Sequence, residues 1–381
     1  MPTVLSIVVP IREYTIETHY MILSLLASPE KRIEIILGEN SVDSGLVLST
    51  QIKKDKEAAL RDPRVRYCPS SNYLSMSENW ARSLRLSIGE YVAIVGADDG
   101  IVSENLTPLV DFLEICGENI ILTSYTTFGY TIQDEGPYVH FQEGSDGKSI
   151  AKVKFHPLVN ALFLGTRELM MPIVFNKSVA RRSLLFGALS DSGSVPGIAP
   201  DNYLTHYIMD REKKGMFINL PVFISGSSEF SNGRSQVRNP MDPIFQQYSL
   251  DHHSRKGPFT SKFSLSCLPA GMFEDYLSAS DNKSLLESFF LSKCATAWIL
   301  FSCQDPKHHG SRLFNYTLKV RMKLLSIAVK VINRFWIFRH FGFSNFFKGK
   351  TISLARGSTI LDVQNIIGSA KIHGKAKSKR S

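Results

Sequence analysis

Residues Gly89–Gly100 read GEYVAIVGADDG, an apolar run long enough for one buried strand that ends abruptly in two adjacent carboxylates, Asp98 and Asp99. Tyr91, Val92, Ile94 and Val95 give nearly continuous hydrophobicity, the pattern of a strand covered on both faces, and Gly96 and Gly100 let the backbone turn closely around the acids. In open α/β sheets the carboxyl edge is where ligands bind. Adjacent oxygen ligands there suit a hard divalent cation carrying a substrate phosphate. Taken alone, the tripeptide also fits a solvated Asp-Asp-Gly turn, so the decision falls to its neighbours.

Working outward, Val4–Val9 reads as a first buried strand stopped by Pro10, and Thr15–Leu26 as a helix. Ile33–Leu37 predicts a second strand, followed by the polar cluster Gly38-Glu39-Asn40-Ser41, and Arg64–Tyr67 a short third one. Ser75 and Glu78 form a capping-box pattern opening a helix on which Trp80, Leu84 and Ile88 share one face. Strand and helix alternating at this spacing predict a parallel sheet with right-handed crossovers. Three strand ends then bring Arg12, Glu39 and the Asp98/Asp99 pair to one rim.

The pieces SIVVPIRE, EIILGENS, LSMSENWARSL and GEYVAIVGADDG, in this order and spacing, resemble the nucleotide-binding half of family-2 glycosyltransferases. The resemblance covers roughly the first 110 residues well and the middle of the chain loosely. It implies the GT-A fold, a Rossmann-like, mostly parallel α/β sheet flanked by helices. It also implies a nucleotide-diphosphate sugar, UDP or GDP linked, and a Mg²⁺ or Mn²⁺ ion. Carried over by position, Pro10 and Arg12 match the loop that lies against the nucleotide. Glu39 stands where the family has an aspartate for base or ribose, and Asn79 stands in the helix before the metal strand, either bordering the sugar or facing solvent. Asp99 matches the metal ligand, and Asp98 the acid that reaches ribose or metal-bound water. Ala97 replaces an aspartate that related sequences often carry.

Further along, GSVPGIAPDNYLTHYIM combines a turn-rich loop with Pro200 at the first turn of a helix whose apolar face is Leu204, Tyr207 and Ile208. Asp201 falls at that helix N-terminus and resembles the family's catalytic base. Inverting transfer needs such a carboxylate to take the acceptor hydroxyl proton. An acid in a first helical turn is equally explained by the helix dipole. His19, His140, His156 and His206 are scattered without ligand spacing and read as structural or solvated. The run Gly226–Arg238, rich in Ser, Gly and Asn, reads as a loop from which Arg234 or Arg238 could meet the diphosphate.

The chain of 381 residues carries a net charge of +9, but Arg312–Ser381 holds fifteen Lys or Arg against the single acid Asp362, leaving a mildly acidic body at −5. The basic character belongs to a C-terminal appendage. Within it Leu318, Met322, Leu325, Val329, Ile332 and Trp336 recur at helical steps, with Lys319, Lys323, Lys330 and Arg334 on another face, the pattern of an amphipathic helix for an anionic membrane surface. A helix packed on the catalytic domain is the alternative. The expected organisation is a nucleotide-sugar half at 1–110, an acceptor half at 111–250 and a helical connection at 251–311. A basic membrane-associating segment at 312–370 and a basic tail at 371–381 follow.

Five widely spaced cysteines without a C-x-x-C pair argue against a disulfide framework or zinc site. No apolar run reaches the roughly 18 residues of a spanning helix, so the expectation is a cytoplasmic protein held peripherally at the inner face of a membrane. The favoured function is metal-dependent, inverting transfer of a sugar to a glycan or lipid-linked acceptor in cell-surface polysaccharide synthesis, with no nucleic-acid partner. Two alternatives stand beside it. One is a non-catalytic nucleotide-sugar or membrane-binding module on the same fold. The other is a nucleotidyltransferase, which the absence of a glycine-rich basic loop after the first strand disfavours.

Overall fold

The computed structural model describes residues 2–40, 49–130, 136–142, 150–155, 171–191, 193–197, 199–228, 250, 268–279, 349–355, 357–365 and 367. The amphipathic pattern at 318–336, Arg234, Arg238 and the tail at 371–381 lie outside them, as does most of 251–311. Among the described residues no helix is long and apolar enough to cross a membrane.

The first half alternates as expected. Strand β1 (Leu5–Ile11) leads through α1 (Ile16–Leu26) to β2 (Ile33–Glu39), then α2 (Thr50–Ala59), β3 (Val65–Tyr67), α3 (Met76–Arg85) and β4 (Tyr91–Ile94). These strands are parallel in the order β3-β2-β1-β4. Alternate residues of β1 and β4 enter opposite cores: Ile7, Val9, Tyr91 and Ala93 pack in one, Val8, Val92 and Ile94 in the other. Both faces are covered, which explains the unbroken apolar runs. Each fully buried Val or Ile there contributes about 1.5–3 kcal/mol.

Three local expectations are corrected. Pro10 does not stop β1 but lies inside it, paired with Gly38. Its missing N–H is tolerated because β4 pairs with β1 only as far as Val8 and Ile94, so no strand of that side faces Pro10. Strand β2 runs on through Gly38 and Glu39, which belong to the strand end. Ile88 lies beyond α3 and is 60% exposed, whereas Trp80 and Leu84 are buried. The Ser75/Glu78 capping box is present.

Beyond β4 the sheet becomes mixed. The two-residue strand β5 (Gly100–Ile101) precedes α4 (Leu106–Cys116), β6 (Ile120–Gly129), β7 (Tyr138–Gln142) and β8 (Ile150–Lys154). Then come β9 (Ser178–Arg181), α5 (Arg182–Phe186), α6 (Pro200–Glu212), β10 (Lys214–Ser227) and α7 (Leu268–Ala279). Long β10 runs parallel to β6 and antiparallel to β5 and β8, while β9 bridges β4 and β6 in antiparallel fashion. Helix α6 is buried almost all round, and Leu204 and Ile208 are fully enclosed. The chain returns to the sheet at its end, where β11 (Gly349–Ser353) pairs with β7 and a short helix α8 (360–365) buries Ile360 and Val363. Part of the basic appendage expected at 312–370 therefore belongs to the folded domain.

At these strand ends α3 adds side-chain donors to carbonyls that the backbone already uses, since Asn40 N–H reaches Ile11 O, Ser70 N–H reaches Glu39 O and Glu39 N–H reaches Cys68 O. Asn79 Nδ2 donates to Ile11 O at 3.1 Å and to Gly38 O at 2.9 Å, binding the ends of β1 and β2. Arg82 Nη2 donates to Glu39 O at 3.1 Å and Cys68 O at 3.0 Å, and also to Asn79 Oδ1. One turn of one helix thus closes three strand ends. Replacing Asn79 by Ala removes two side-chain hydrogen bonds and is expected to destabilise the fold by about 0.5–1.5 kcal/mol for each. Urea unfolding would show this as a lower midpoint at unchanged slope.

Candidate active site

Strand β1 has β2 on one side and β4 on the other, so the chain changes direction of travel across the sheet between β1 and β4. The carboxyl ends flanking such a switch point form the usual ligand crevice of an open α/β sheet. Exposed Arg12 follows β1, and the Asp98/Asp99 pair follows β4.

The two acids differ sharply. Asp99 is 1% exposed, its Oδ1 accepting the Gly226 N–H at 2.7 Å and its Oδ2 the Gly96 N–H. Burial first, and then the neighbouring charge of Asp98, push its pKa well above the usual carboxylate range, against the opposing pull of those amides and of the Asn176 side chain. Asp98 is half-buried; its Oδ2 accepts from Ser228 N at 3.0 Å and Ser228 Oγ at 2.8 Å, and its Oδ1 has no partner among the described residues. The backbone of β10 passes so close that a Cβ at Gly226 would lie 1.7 Å from Asp98 O, which only glycine avoids.

Glu39, at the end of β2, is held by the Tyr14 N–H at 3.2 Å, the Tyr67 hydroxyl and Lys56 Nζ at 3.3 Å. The Lys56 ammonium lies 4.5 Å from the Tyr14 ring centroid and 5.1 Å from that of Tyr67. Burial and the Glu39 carboxylate raise the pKa of both phenols. Pro10 and Asn79 lie directly behind this group, the first in β1 and the second buried with its amide spent on strand ends.

Asp201 occupies the first turn of α6 and keeps part of its surface open, although dense packing around the carboxyl raises its pKa. The Asn202 N–H and the charge of Lys177 oppose that rise. Asp275 of α7 stands at the same helix end, its Oδ2 accepting from Ala199 N at 3.1 Å and Asn202 Nδ2 at 3.0 Å. Residues 176 and 177 border both acidic sites, since Asn176 faces Asp99 and Lys177 acts on Asp201. Asn176 is buried at φ 62°, a conformation asparagine tolerates better than most residues, and Lys177 Nζ lies 4.4 Å over the Tyr125 ring.

Asp98, Asp99, Glu39 and Asp201 are legible in the sequence, whereas Asn176, Lys177, Ser228 and Asp275 are not. The tripeptide Phe175-Asn176-Lys177 offers only a mild left-handed-turn signal, and Asp275, 74 positions beyond Asp201, offers none.

Residues 6–170 match the family described as Glycosyl transferase family 2. That match spans less than half of the chain, so it is a likeness to the family over the N-terminal part. A comparison with curated proteins finds no match. Among solved structures, S. aureus TarS 1–349 in complex with UDP-GlcNAc is 14% identical with a TM-score of 0.46, covering 84% of this chain and 92% of that one. For S. aureus TarS 1–349 in complex with UDP the corresponding values are 15%, 0.40, 79% and 81%. Against S. aureus TarS they are 15%, 0.44 and 83%, and the chain spans 55% of that longer protein.

Family-2 glycosyltransferases use a divalent metal, and the acids can be tested for it. No group of three or more His, Cys, Asp or Glu side chains is placed to hold an ion by itself among the described residues. Mg²⁺ commonly takes only one or two carboxylates and completes its shell with substrate phosphates and waters. Asp98 Oδ1, without a partner among the described residues, fits that demand, whereas both oxygens of Asp99, the ligand expected from sequence, are spent on backbone amides. Asp99→Ala is expected to cost about 1–3 kcal/mol for each of the two buried amides it orphans, and Asp98→Ala less than about 1.5 kcal/mol. Equal losses in urea unfolding would refute this division of roles.

Proposed function

We propose that the chain transfers a sugar from a UDP- or GDP-linked donor to a glycan or lipid-linked acceptor with inversion, in the building of a cell-surface polysaccharide. The observation that carries this reading is a part-exposed carboxylate, Asp98, fixed beside the sheet's switch point, with a second acid of raised pKa, Asp201, reached through the same Asn176-Lys177 segment. In this reading the base and ribose lie against Glu39 and the Tyr14, Tyr67 and Lys56 group, with Pro10 and Arg12 beside the nucleotide and Asn79 holding the rim from behind. The diphosphate lies toward Asp98. A bound Mg²⁺ or Mn²⁺ would neutralise the charge that gathers on the leaving diphosphate, with Asp98 as its carboxylate ligand and Asp99 fixing the turn.

Asp201 is the base. It takes the acceptor hydroxyl proton as that oxygen bonds to the anomeric carbon, while the bond from that carbon to the diphosphate oxygen breaks and its electron pair leaves with the nucleotide. Burial suits Asp201 to the role, because a carboxylate with a raised pKa holds a proton more firmly near neutral pH. Ala97 and the protein-satisfied Asp99 favour a second reading, a module that binds nucleotide sugar without transferring it.

The basic residues of 312–348 support peripheral attachment to an anionic leaflet, each Lys or Arg near the surface contributing about 1 kcal/mol. In this reading the enzyme works at the inner face of a membrane.

Asp201→Asn is expected to abolish transfer while a UDP- or GDP-sugar with Mn²⁺ still raises the melting temperature; loss of both would make the acid structural. In the wild type, activity should fall as pH drops through a pKa above the ordinary aspartate value of about 3.9. Since the folded pKa is raised, ionised Asp201 weakens folding at neutral pH, so the Asn variant should melt no lower than wild type at pH 7, its advantage narrowing toward pH 4. A nucleotide-sugar thermal shift without transfer in the wild type would establish the binding-module reading. Reversing Lys319, Lys323, Lys330 and Arg334 to Glu should release the protein from anionic vesicles. Unchanged sedimentation with the vesicles would defeat the membrane assignment, and this variant, unlike a truncation, keeps β11 and α8.

A further inference from the structure

Strand β5 follows Asp99 directly and has only two residues, Gly100 and Ile101, paired on one side with Ile224 and Phe223 of β10. Its other side needs partners, because Ile101 is fully buried and unpaired backbone groups there are unfavourable. Two side chains from distant parts of the sequence supply them. Ser24 Oγ of α1 accepts the Ile101 N–H at 3.1 Å, and Gln364 Nε2 of α8 donates to Ile101 O and, at 3.2 Å, to Ser24 O.

The same short helix presses on Gly100. A Cβ there would lie 2.2 Å from Ile360 Cγ2, so the glycine that the sequence suggests as a turn residue is needed for the close approach of α8. Ile360 and Val363 are fully buried with Val102, Phe128, Val139 and Ile224. Thr359 N–H donates to Asp362 Oδ2 at 2.7 Å at the start of α8, and β11 ties the segment to β7. Asp98 and Asp99 are thus held from one side by β10, through Ser228 and Gly226, and from behind by residues some 260 positions later in the chain.

We propose that α8 is a C-terminal latch for the donor site, in which Gln364 and Ile360 are positioning residues that set the Asp98-Asp99 turn against β10. They touch neither donor nor acceptor. Their effect runs through Ile101 and Gly100 to the acids, so the consequence for donor binding rests on the function proposed above, while the latch itself does not.

The test compares the full-length wild type with Gln364→Ala and the milder Gln364→Glu. The first readout is amide hydrogen exchange, and the second is the Mn²⁺-dependent thermal shift with UDP. Gln364→Ala should speed exchange at the amides of Gly96–Val102 and Gly226–Ser228 at least tenfold, with β2 and β3 unchanged, and should weaken the Mn²⁺·UDP shift. Gln364→Glu, which keeps the length but offers oxygens to two carbonyls, should behave like Ala. Unchanged exchange at the turn, or faster exchange spread evenly over the sheet, would overturn the latch. If the exchange result holds and wild type shows no shift with Mn²⁺·UDP, the latch stands and the functional reading fails. If wild type shifts and the variants shift equally despite faster exchange, the positioning role fails and the functional reading survives.

Discussion

The Asp99 carboxylate accepts one amide from its own turn, Gly96, and one from β10, Gly226, and much of the site follows from that pair of contacts. The sheet has two regimes, a parallel one in β1 to β4 and a mixed one around β6 and β10. They meet through β9, which pairs with both β4 and β6, and again where the chain leaves β4. A buried carboxylate without donors would be strongly unfavourable there. With both oxygens satisfied by backbone groups from either regime, it becomes a fixed joint, and Asp98 is carried on that joint into a half-exposed position. The raised pKa of Asp99 has the same origin, since burial and the adjacent Asp98 charge outweigh the two amides.

The rim next to this joint is held by a different device with the same logic. Asn79 and Arg82, three residues apart on α3 and therefore on one helical face, donate to carbonyls at the ends of β1, β2 and β3. Their amide and guanidinium groups fix where Glu39 and Arg12 emerge. Glu39 is then further constrained by Tyr14, Tyr67 and Lys56, so this side of the crevice is ordered before any ligand arrives. Such preorganisation reduces the ordering that binding must impose.

The legible part of this architecture is the part encoded locally. Apolar runs of strand length, the Ser75/Glu78 capping box and the acids at the end of a buried run are adjacent-residue signals, and β1 to β4 with their helices follow from them. The pairing of β10 with β5, β6 and β8, and the arrival of β11 and α8, depend on contacts between residues far apart in sequence, for which a single chain offers no periodicity to read. The same limit applies within the site. Asp98 and Asp99 are visible as a pair, but which of them is buried is decided by Gly226 and Ser228, more than 120 positions away. Gly100 is visible too, yet its reason is Ile360 and not a turn.

Asp201 shows why such distant contacts matter for chemistry. An acid in the first turn of a helix is normally stabilised in its charged form by the amides and dipole of that end, which lowers its basicity. Here Asp275 of α7 accepts from Ala199 N and the Asn202 side chain, so a second carboxylate stands at the helix end. Asp201 still feels the Asn202 amide and Lys177, but the packing around it is the larger influence and its pKa is raised. A carboxylate serving only as a helix cap would be expected to shift the other way. The helix places Asp201, Asp275 adds a second carboxylate beside it, and burial leaves Asp201 an acid that holds its proton more firmly than an ordinary helix-terminal carboxylate.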